Sequence, residues 1–330
     1  MATAAQSFAV RAETPARFAT EAAAVVRSTP CAQAGLFLLS GGLAAQAGDV
    51  ARALAKYDLG LPFLVASGVG VLSERGELER TAAGAGLVFR GGRPEVLTAE
   101  ASTPDAAVEK LAGRLAIATR GRAATALVFA QAEGFGIESI EPIASVANLG
   151  VLGAGTPGGA PILAVDREGE LSEGSIGALL TLGLTPARVR VSPACRLLMP
   201  LRPITEARGP LVVSIAGEPA LDVLESIGSE LQGQPLVLTV LAPPKGEEEE
   251  GRPELAVRGI QGVDPGRRAL VLSGDIRPGT RFAFAVRDAT ASRTDLERTA
   301  RAIFERDGKS AEYDLINKSA ANLRRMWVES

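Results

Sequence analysis

Apolar positions recur every three to four residues after Thr14-Pro15, in "TPARFATEAAAVVR", and again after Thr103-Pro104, in "TPDAAVEKLAGRLAIA". Each stretch sets a capping hydroxyl before a proline at the first helical position, so each predicts an amphipathic helix. Each leads into a short unbroken apolar run, "GLFLLS" from Gly35 and "ALVFAQ" from Ala126, which predicts a buried strand. A second helical segment follows in both places, "DVARALAKYDLG" and "IESIEPIASVANLG". Both then run into paired apolar stretches around a polar turn, "FLVASGVGVLSERGELERTAAGAGLVF" and "APILAVDREGELSEGSIGALLTLG". Gly-Glu-Leu recurs in them at Gly76-Glu77-Leu78 and Gly169-Glu170-Leu171. These landmarks repeat in order at an offset of about 90 residues, which predicts two copies of one αβαββ unit at about 14–92 and 103–184.

From about Pro186 the pattern changes to longer β-type runs with proline-rich joints. The segment "ARVRVSPACRLLMPLRPITEARGPLVVSIAGEPALDVLESIG" predicts strand, joint, strand, turn and strand, then a helix from about Pro219. "QPLVLTVLAP" predicts another buried strand, and "PPKGEEEEGRP" a solvated loop. Strands then alternate with Asp-Pro-Gly and Arg-Pro-Gly-Thr turns through "ELAVRGIQGVDPGRRALVLSGDIRPGTRFAFAVRD", and the helix "TDLERTARAIFERDG" closes the run. The expected fold class is α/β to α+β. Duplicated αβαββ units form sheet layers with outer helices over residues 1–185, followed by a second, β-rich α+β domain over 186–306 and a C-terminal tail over 307–330.

Gly153-Ala154-Gly155-Thr156-Pro157-Gly158 spells G-x-G-x-x-G. A phosphate-cradling fingerprint needs a helix directly after the loop and an acidic residue about 20 positions on. Here the next segment reads as a strand and hairpin turn, with Pro157 and Pro161 flanking Gly158-Gly159. The motif is therefore expected to be a glycine-rich turn between two strands.

Composition narrows the chemistry. The chain of 330 residues contains no histidine, which closes imidazole-activated nucleophiles and His-ligated metal sites. Its two cysteines, Cys31 and Cys195, cannot build a four-thiolate site, and no disulfide framework is indicated. A net charge of −3 with only 4% aromatic residues argues against nucleic-acid binding. The N-terminal stretch lacks a signal-peptide layout, and the most apolar run, "AGLFLLSGGLAA", is too short to span a bilayer. The expectation is a soluble cytoplasmic protein with no cofactor, no metal, no membrane partner and no nucleic-acid partner.

Several stretches resemble the FIST family of sensory domains, over about Phe8 to Phe304. In the first half these are "ASGVGVLSERGELE" and "GSIGALLTLG". In the second half they are "PACRLLMPLRPITEARGPLVVSIAGEPALDVL", "VRGIQGVDPGRRALVLSGDIRPGTRFAFAVRD" and the trailing "TDLER". The resemblance implies an input module of bacterial signal transduction, standing alone or joined to kinase, cyclase or chemotaxis output domains. It also implies a small ligand such as an amino acid; a eukaryotic relative is part of an F-box ubiquitin-ligase subunit. The family's C-terminal region continues past the last helix with a Cys- and Arg-Gly-containing strand and a glycine-rich segment. This chain instead runs through "KSAEYDLINKSAANLRRMWVES", so the end of that domain is missing or divergent. Its Leu315, Ile316, Leu323, Met326 and Trp327, with Arg324-Arg325, predict an amphipathic helix that docks on its own domain, with binding of a partner as the alternative.

Candidate ligand-binding residues are Arg258, Asp264, Arg287 and Asp288, because arginine and carboxylate near strand ends can grip a zwitterionic amino acid. The competing reading makes Asp264-Pro265-Gly266 a turn and Arg287-Asp288 a strand end. Cys195, beside Arg196, is a further candidate, since a neighbouring guanidinium lowers a thiol pKa; packing in a strand is the alternative. Glu77 and Glu170 occupy equivalent hairpin turns and read as solvated. No catalytic set assembles, so the expected function is a non-enzymatic sensory module that binds a small metabolite and acts through a signalling partner such as a kinase or chemotaxis component. The alternatives are a scaffold without a small ligand, and an enzyme built on Ser/Thr, Cys195 or carboxylates.

Overall fold

The computed structural model describes residues 5–73, 76–79, 81–133, 135, 138–183, 195–228, 237–246, 255–287 and 289–305. They fall into two compact units, the first holding the described residues up to 183 and the second those from 195. The tail read at 307–330 lies outside the described residues.

The first unit runs β1 (Ala5–Arg11), α1 (Pro15–Ser28), β2 (Ala32–Ser40), α2 (Ala47–Ala55), β3 (Phe63–Ser67), β4 (Gly70–Ser73), β5 (Gly76–Glu79) and β6 (Ala83–Arg90). It continues through β7 (Glu95–Ala99), α3 (Pro104–Thr119), β8 (Ala124–Gln131), α4 (Glu141–Ala144), β9 (Leu149–Thr156), β10 (Ile162–Val165), β11 (Leu171–Gly174) and β12 (Ile176–Leu182). Both long helices start as their sequences dictate. Thr14 Oγ1 accepts from the Arg17 amide and Thr103 Oγ1 from the Ala106 amide, each at 3.3 Å, with proline next in the chain.

One sheet has the order β1-β6-β2-β3-β10-β11 and the other β7-β12-β8-β9. The first four strands of each are laid out alike. A leading strand pairs antiparallel with the last, the last antiparallel with the second, and the second parallel with the third. The β10–β11 hairpin joins β3 at the edge of the first sheet, whereas β4 and β5 pair with each other as a separate two-stranded sheet among the described residues. Leading strands β1 and β7 carry weak alternation, and the hydrophobic pattern does not mark them.

Strand alternation assigns each apolar side chain to one of two layers. Phe37, Leu39, Phe63 and Val65 face helices α1 and α2 in one cluster. Their neighbours Leu36, Leu64 and Ala66 face Leu179, Leu127 and Phe129 of the other sheet. Helix α3 and Ile143 of α4 cover the far side of the second sheet. The unit is thus four layers, helix–sheet–sheet–helix, with the two sheets stacked face to face.

Glycine sets the spacing at specific points. A Cβ on Gly86 would lie 2.4 Å from the Phe8 ring and 2.9 Å from the Phe37 ring, and one on Gly84 would lie 2.2 Å from Phe18. Phe8, Phe18, Phe37 and Phe63 form a chain of rings with centroids 5.5 to 6.3 Å apart. Between the sheets, a Cβ on Gly177 would meet Ile162 Cγ2 at 2.7 Å.

The G-x-G-x-x-G stretch differs in part from its sequence reading. Gly153, Ala154 and Gly155 are in strand β9, and only Pro157–Gly159 turn. A Cβ at Gly153 would fall 1.9 Å from the Val128 carbonyl oxygen, so the glycine serves close approach to β8 rather than a reversal. Strand β10 follows the turn, as the hairpin reading requires. The helical segment expected over 137–150 is also short: a single turn at Glu138–Ile140, then α4, ending where Asn148 takes φ 59° and β9 begins at Leu149.

The second unit contains β13 (Cys195–Leu197), β14 (Arg202–Arg208), β15 (Leu211–Ile215), β16 (Glu218–Pro219), α5 (Ala220–Ser226), β17 (Val237–Ala242), β18 (Ala256–Asp264), β19 (Ala269–Leu272), β20 (Arg281–Arg287) and α6 (Ala289–Glu305). Its path β14-β15-β19-β18-β17 is closed because β20 pairs with both β17 and β14. The result is a six-stranded antiparallel barrel, with β13 continuing beyond β14 along β20. Phe282 and Phe284, edge to face at 4.8 Å, share one apolar cluster with Ile204, Val212, Leu270 and Val223 of α5. Closure pairs both edges of β20, leaving fewer open strand edges.

Gly86→Ala is expected to lower stability by about 1–3 kcal/mol, because the Phe8 and Phe37 rings are hemmed in by each other and by Phe18. Gly113→Ala, on exposed α3 with nothing within 4 Å, is expected to raise stability by about 0.5–1 kcal/mol. Urea midpoints of the two variants check both signs.

Candidate functional site

The residues expected to bind a ligand are distributed over the second unit. Cys195 begins β13, is half-buried, and is the direct cross-strand partner of Arg287. Arg258 lies in β18, half-buried, opposite Thr239, whose hydroxyl donates to the Arg258 carbonyl at 3.0 Å. Asp264 ends the same strand. It lies six positions further along the strand than Arg258, about 20 Å, so the two do not meet on one small molecule. Asp288 lies outside the described residues, and for Arg287 the backbone placement alone is described. The structure therefore brings Cys195 and Arg287 together, sets Arg258 two strands away, and leaves Asp264 apart.

Asp264 is engaged in its own turn. Its Oδ1 accepts from the Arg267 amide at 3.0 Å, and its Oδ2 pairs with Arg267 Nη1 at 3.0 Å. The Arg267 amide is the main cause that holds the carboxyl below the usual aspartate value. The Arg267 guanidinium adds to this, against a partial opposing effect of desolvation. The adjoining Arg268 has φ 49° and bridges Asp222 and Glu225 of α5, while its carbonyl accepts from the Leu221 amide at 2.9 Å. Those two carboxylates push the Arg268 pKa up. The Asp264–Arg268 turn thus ties α5 to the β18–β19 hairpin and has a structural role.

Glu170 is exposed beyond the β10–β11 turn, with its amide donating to Asp166 Oδ1 at 2.8 Å. Glu77 belongs to the separate β4–β5 hairpin. Cys31 is exposed, at φ 57°.

A concavity lies in the first unit. A cleft of about 790 Å³ opens between β7, the C-terminal end of α3 and Leu182 of β12, rimmed by Arg93, Arg114, Arg120 and Arg122 with Glu95. Sequence reading passed over these residues, since "GGRPEV" and "ATRGRAAT" are separated by a strand, a loop and a whole helix. The signal available was the Arg120-Gly121-Arg122 triplet straddling the end of a predicted helix.

Once placed in this framework, the chain can be compared with known proteins. A family model described as the FIST C domain matches residues 220–321, from the start of α5 through α6 and beyond. Residues 220–321, most of which lie in the second unit, are thus similar to the C-terminal domain of the FIST family. FIST C is a sensory domain family of signal transduction proteins. Separately, 46 residues are 54% identical to a stretch of a PKHD-type hydroxylase from Gloeothece citriformis. That alignment covers 13% of this chain and 21% of the hydroxylase, so the chain spans about a fifth of that relative. Among the described residues, no helix is long and apolar enough to cross a membrane.

Because the folded Asp264 pKa is depressed, its stabilising effect is present above the unfolded aspartate value, about 3.9, and is lost as pH falls through the folded value. Carboxyl-carbon NMR titration is expected to give a midpoint below that of an unstructured aspartate. Arg267→Ala should raise the midpoint only partway, since the backbone amide at 267 still donates. A wild-type midpoint at or above the ordinary value would contradict the turn geometry.

Proposed function

We propose that the protein is a cytoplasmic sensory module that binds a small metabolite such as an amino acid and signals through a protein partner, for instance a kinase or a chemotaxis component. The observation that carries this reading is the FIST C match over residues 220–321, which coincides with α5, most of the closed barrel and α6. The barrel supports it physically: a closed sheet fixes the backbone, and the side chains on its rim can then select a ligand at low ordering cost. Of the residues first singled out, Cys195 and Arg287 are cross-strand partners, whereas Arg258, opposite Thr239 and through it Phe284, lies on the other face of the sheet. In this reading the protein performs no chemistry on its ligand, and occupancy alone is the signal.

Native mass spectrometry of the purified full chain, with a thermal-shift series over the common amino acids, tests this. One ligand class is expected to raise Tm, by the linkage between binding and folding. Arg258→Ala is expected to reduce that shift. No co-purified mass and no shift at millimolar concentrations would leave the scaffold alternative in its place.

A further inference from the structure

From the cleft in the first unit we infer a binding site for a small organic anion, a carboxylate or phosphate ester with an apolar body. Four guanidiniums rim one cleft of about 790 Å³, and Glu95 is the sole carboxylate among its lining residues. Like charges gathered at one place repel, and an anion bound among them relieves that repulsion.

The four arginines are held in two different ways. Arg114 donates to the Thr98 carbonyl, and Arg122 donates through Nε to Thr119 O at 3.1 Å and through Nη2 to Ala118 O at 3.3 Å. These bonds anchor the two side chains, Arg114 on β7 and Arg122 on the carbonyls at the negative end of α3, yet leave other guanidinium N–H groups to face a ligand. Arg93 and Arg120 make no side-chain hydrogen bond or ion pair with any described residue, and both are exposed. Their ten N–H donors are the natural clamp, since a guanidinium fork matches the oxygens of carboxylate or phosphate.

Backbone geometry places this pair of anchors and clamps. Arg120 is the left-handed cap of α3, φ 49° and ψ 40°, with its amide donating to Ala116 O at 3.0 Å. Gly121 follows at φ 71°, so the chain reverses sharply between Arg120 and Arg122 and both reach the same cleft. The ordinary residue at such a cap is glycine; arginine there gives up backbone comfort for a guanidinium at the rim.

The apolar body of the ligand follows from the remaining lining. Leu97, Ala118 and Leu182 line the cleft, and Ile117, 74% exposed, stands at its edge. Bulk inorganic anions gain nothing from these groups, whereas an organic anion covers them. The inference is independent of the sensory reading, because the cleft lies wholly outside the residues matched as FIST C.

Isothermal titration of the full chain with phenyl phosphate, 3-phenylpropionate, inorganic phosphate and alanine tests it. The two aromatic anions are expected to bind more tightly than inorganic phosphate, with alanine weakest. Which of the aromatic anions binds better separates a phosphate from a carboxylate ligand. Arg93→Ala/Arg120→Ala should weaken both about tenfold or more, with Tm unchanged because neither side chain supports the fold. Ile117→Ser should weaken the aromatic anions while leaving inorganic phosphate as before. Equal affinities in wild type and the double variant, no binding of either aromatic anion, or inorganic phosphate binding as tightly as phenyl phosphate would each overturn the proposal.

Discussion

Strand β6 is the middle of a layer that must accept helices on one side and a second sheet on the other, and it does so by omitting side chains. Gly84 and Gly86 leave room on the helix face for the Phe18, Phe8 and Phe37 rings, which lie against the strand backbone. The rings then supply the apolar area that β6 itself lacks, and they bring α1 down onto the sheet. With large aromatics on the helix side, the intervening positions Leu87 and Phe89 can turn to the sheet–sheet interface. The same trade recurs between the sheets, where Gly177 accommodates Ile162. A sheet buried on both faces needs apolar residues at nearly every position, and β3, β10 and β12 are buried throughout. That requirement explains a composition rich in Ala, Val and Leu and poor in polar alternation.

The helices and buried strands of these layers were legible in the chain, but the face-to-face stacking of the two sheets was not. Thr14-Pro15 and Thr103-Pro104 mark helix starts by local chemistry, and the apolar runs of β2, β3, β8 and β12 are too continuous to be surface. What escaped depends on partners remote in sequence. β1 is recognisable as a strand only because β6 pairs with it some 80 residues on, and β7 only because β12 does. The β10–β11 hairpin sits in the first sheet although it is surrounded in sequence by strands of the second. The Gly153–Gly155 segment was misplaced for the opposite reason. Glycine signals a turn locally, but here the neighbouring Val128 carbonyl, not a φ angle, demands it.

Candidate sites were harder to read than elements, because a site is a convergence and sequence shows only types. Asp264 has the composition of a ligand-gripping residue, yet its carboxylate is occupied by Arg267 three positions away. Cys195 and Arg287 are 92 positions apart and become cross-strand partners through the antiparallel pairing of β13 with β20. The arginines of the first unit illustrate the limit most clearly. Arg93 and Arg120 come from opposite ends of a segment containing β7 and α3, and nothing in periodicity places them on one rim.

The two units manage their strand edges differently, and this bears on where ligands can be held. The barrel abolishes most of its edges by pairing β20 on both sides, so its recognition surface consists of side chains carried on a fixed backbone. The second sheet of the first unit instead ends at β7, a short strand with one edge open among the described residues. An open edge beside a helix end leaves a gap that neither element fills, and long side chains reach into it from both. Arginine suits that position: its stem covers apolar surface while its head stays in water. Four such heads around one gap prevent another strand from docking there, as charged edges generally do. The same charges leave the gap open to a small anion, so protection of the edge and recognition of a ligand are served by one set of residues.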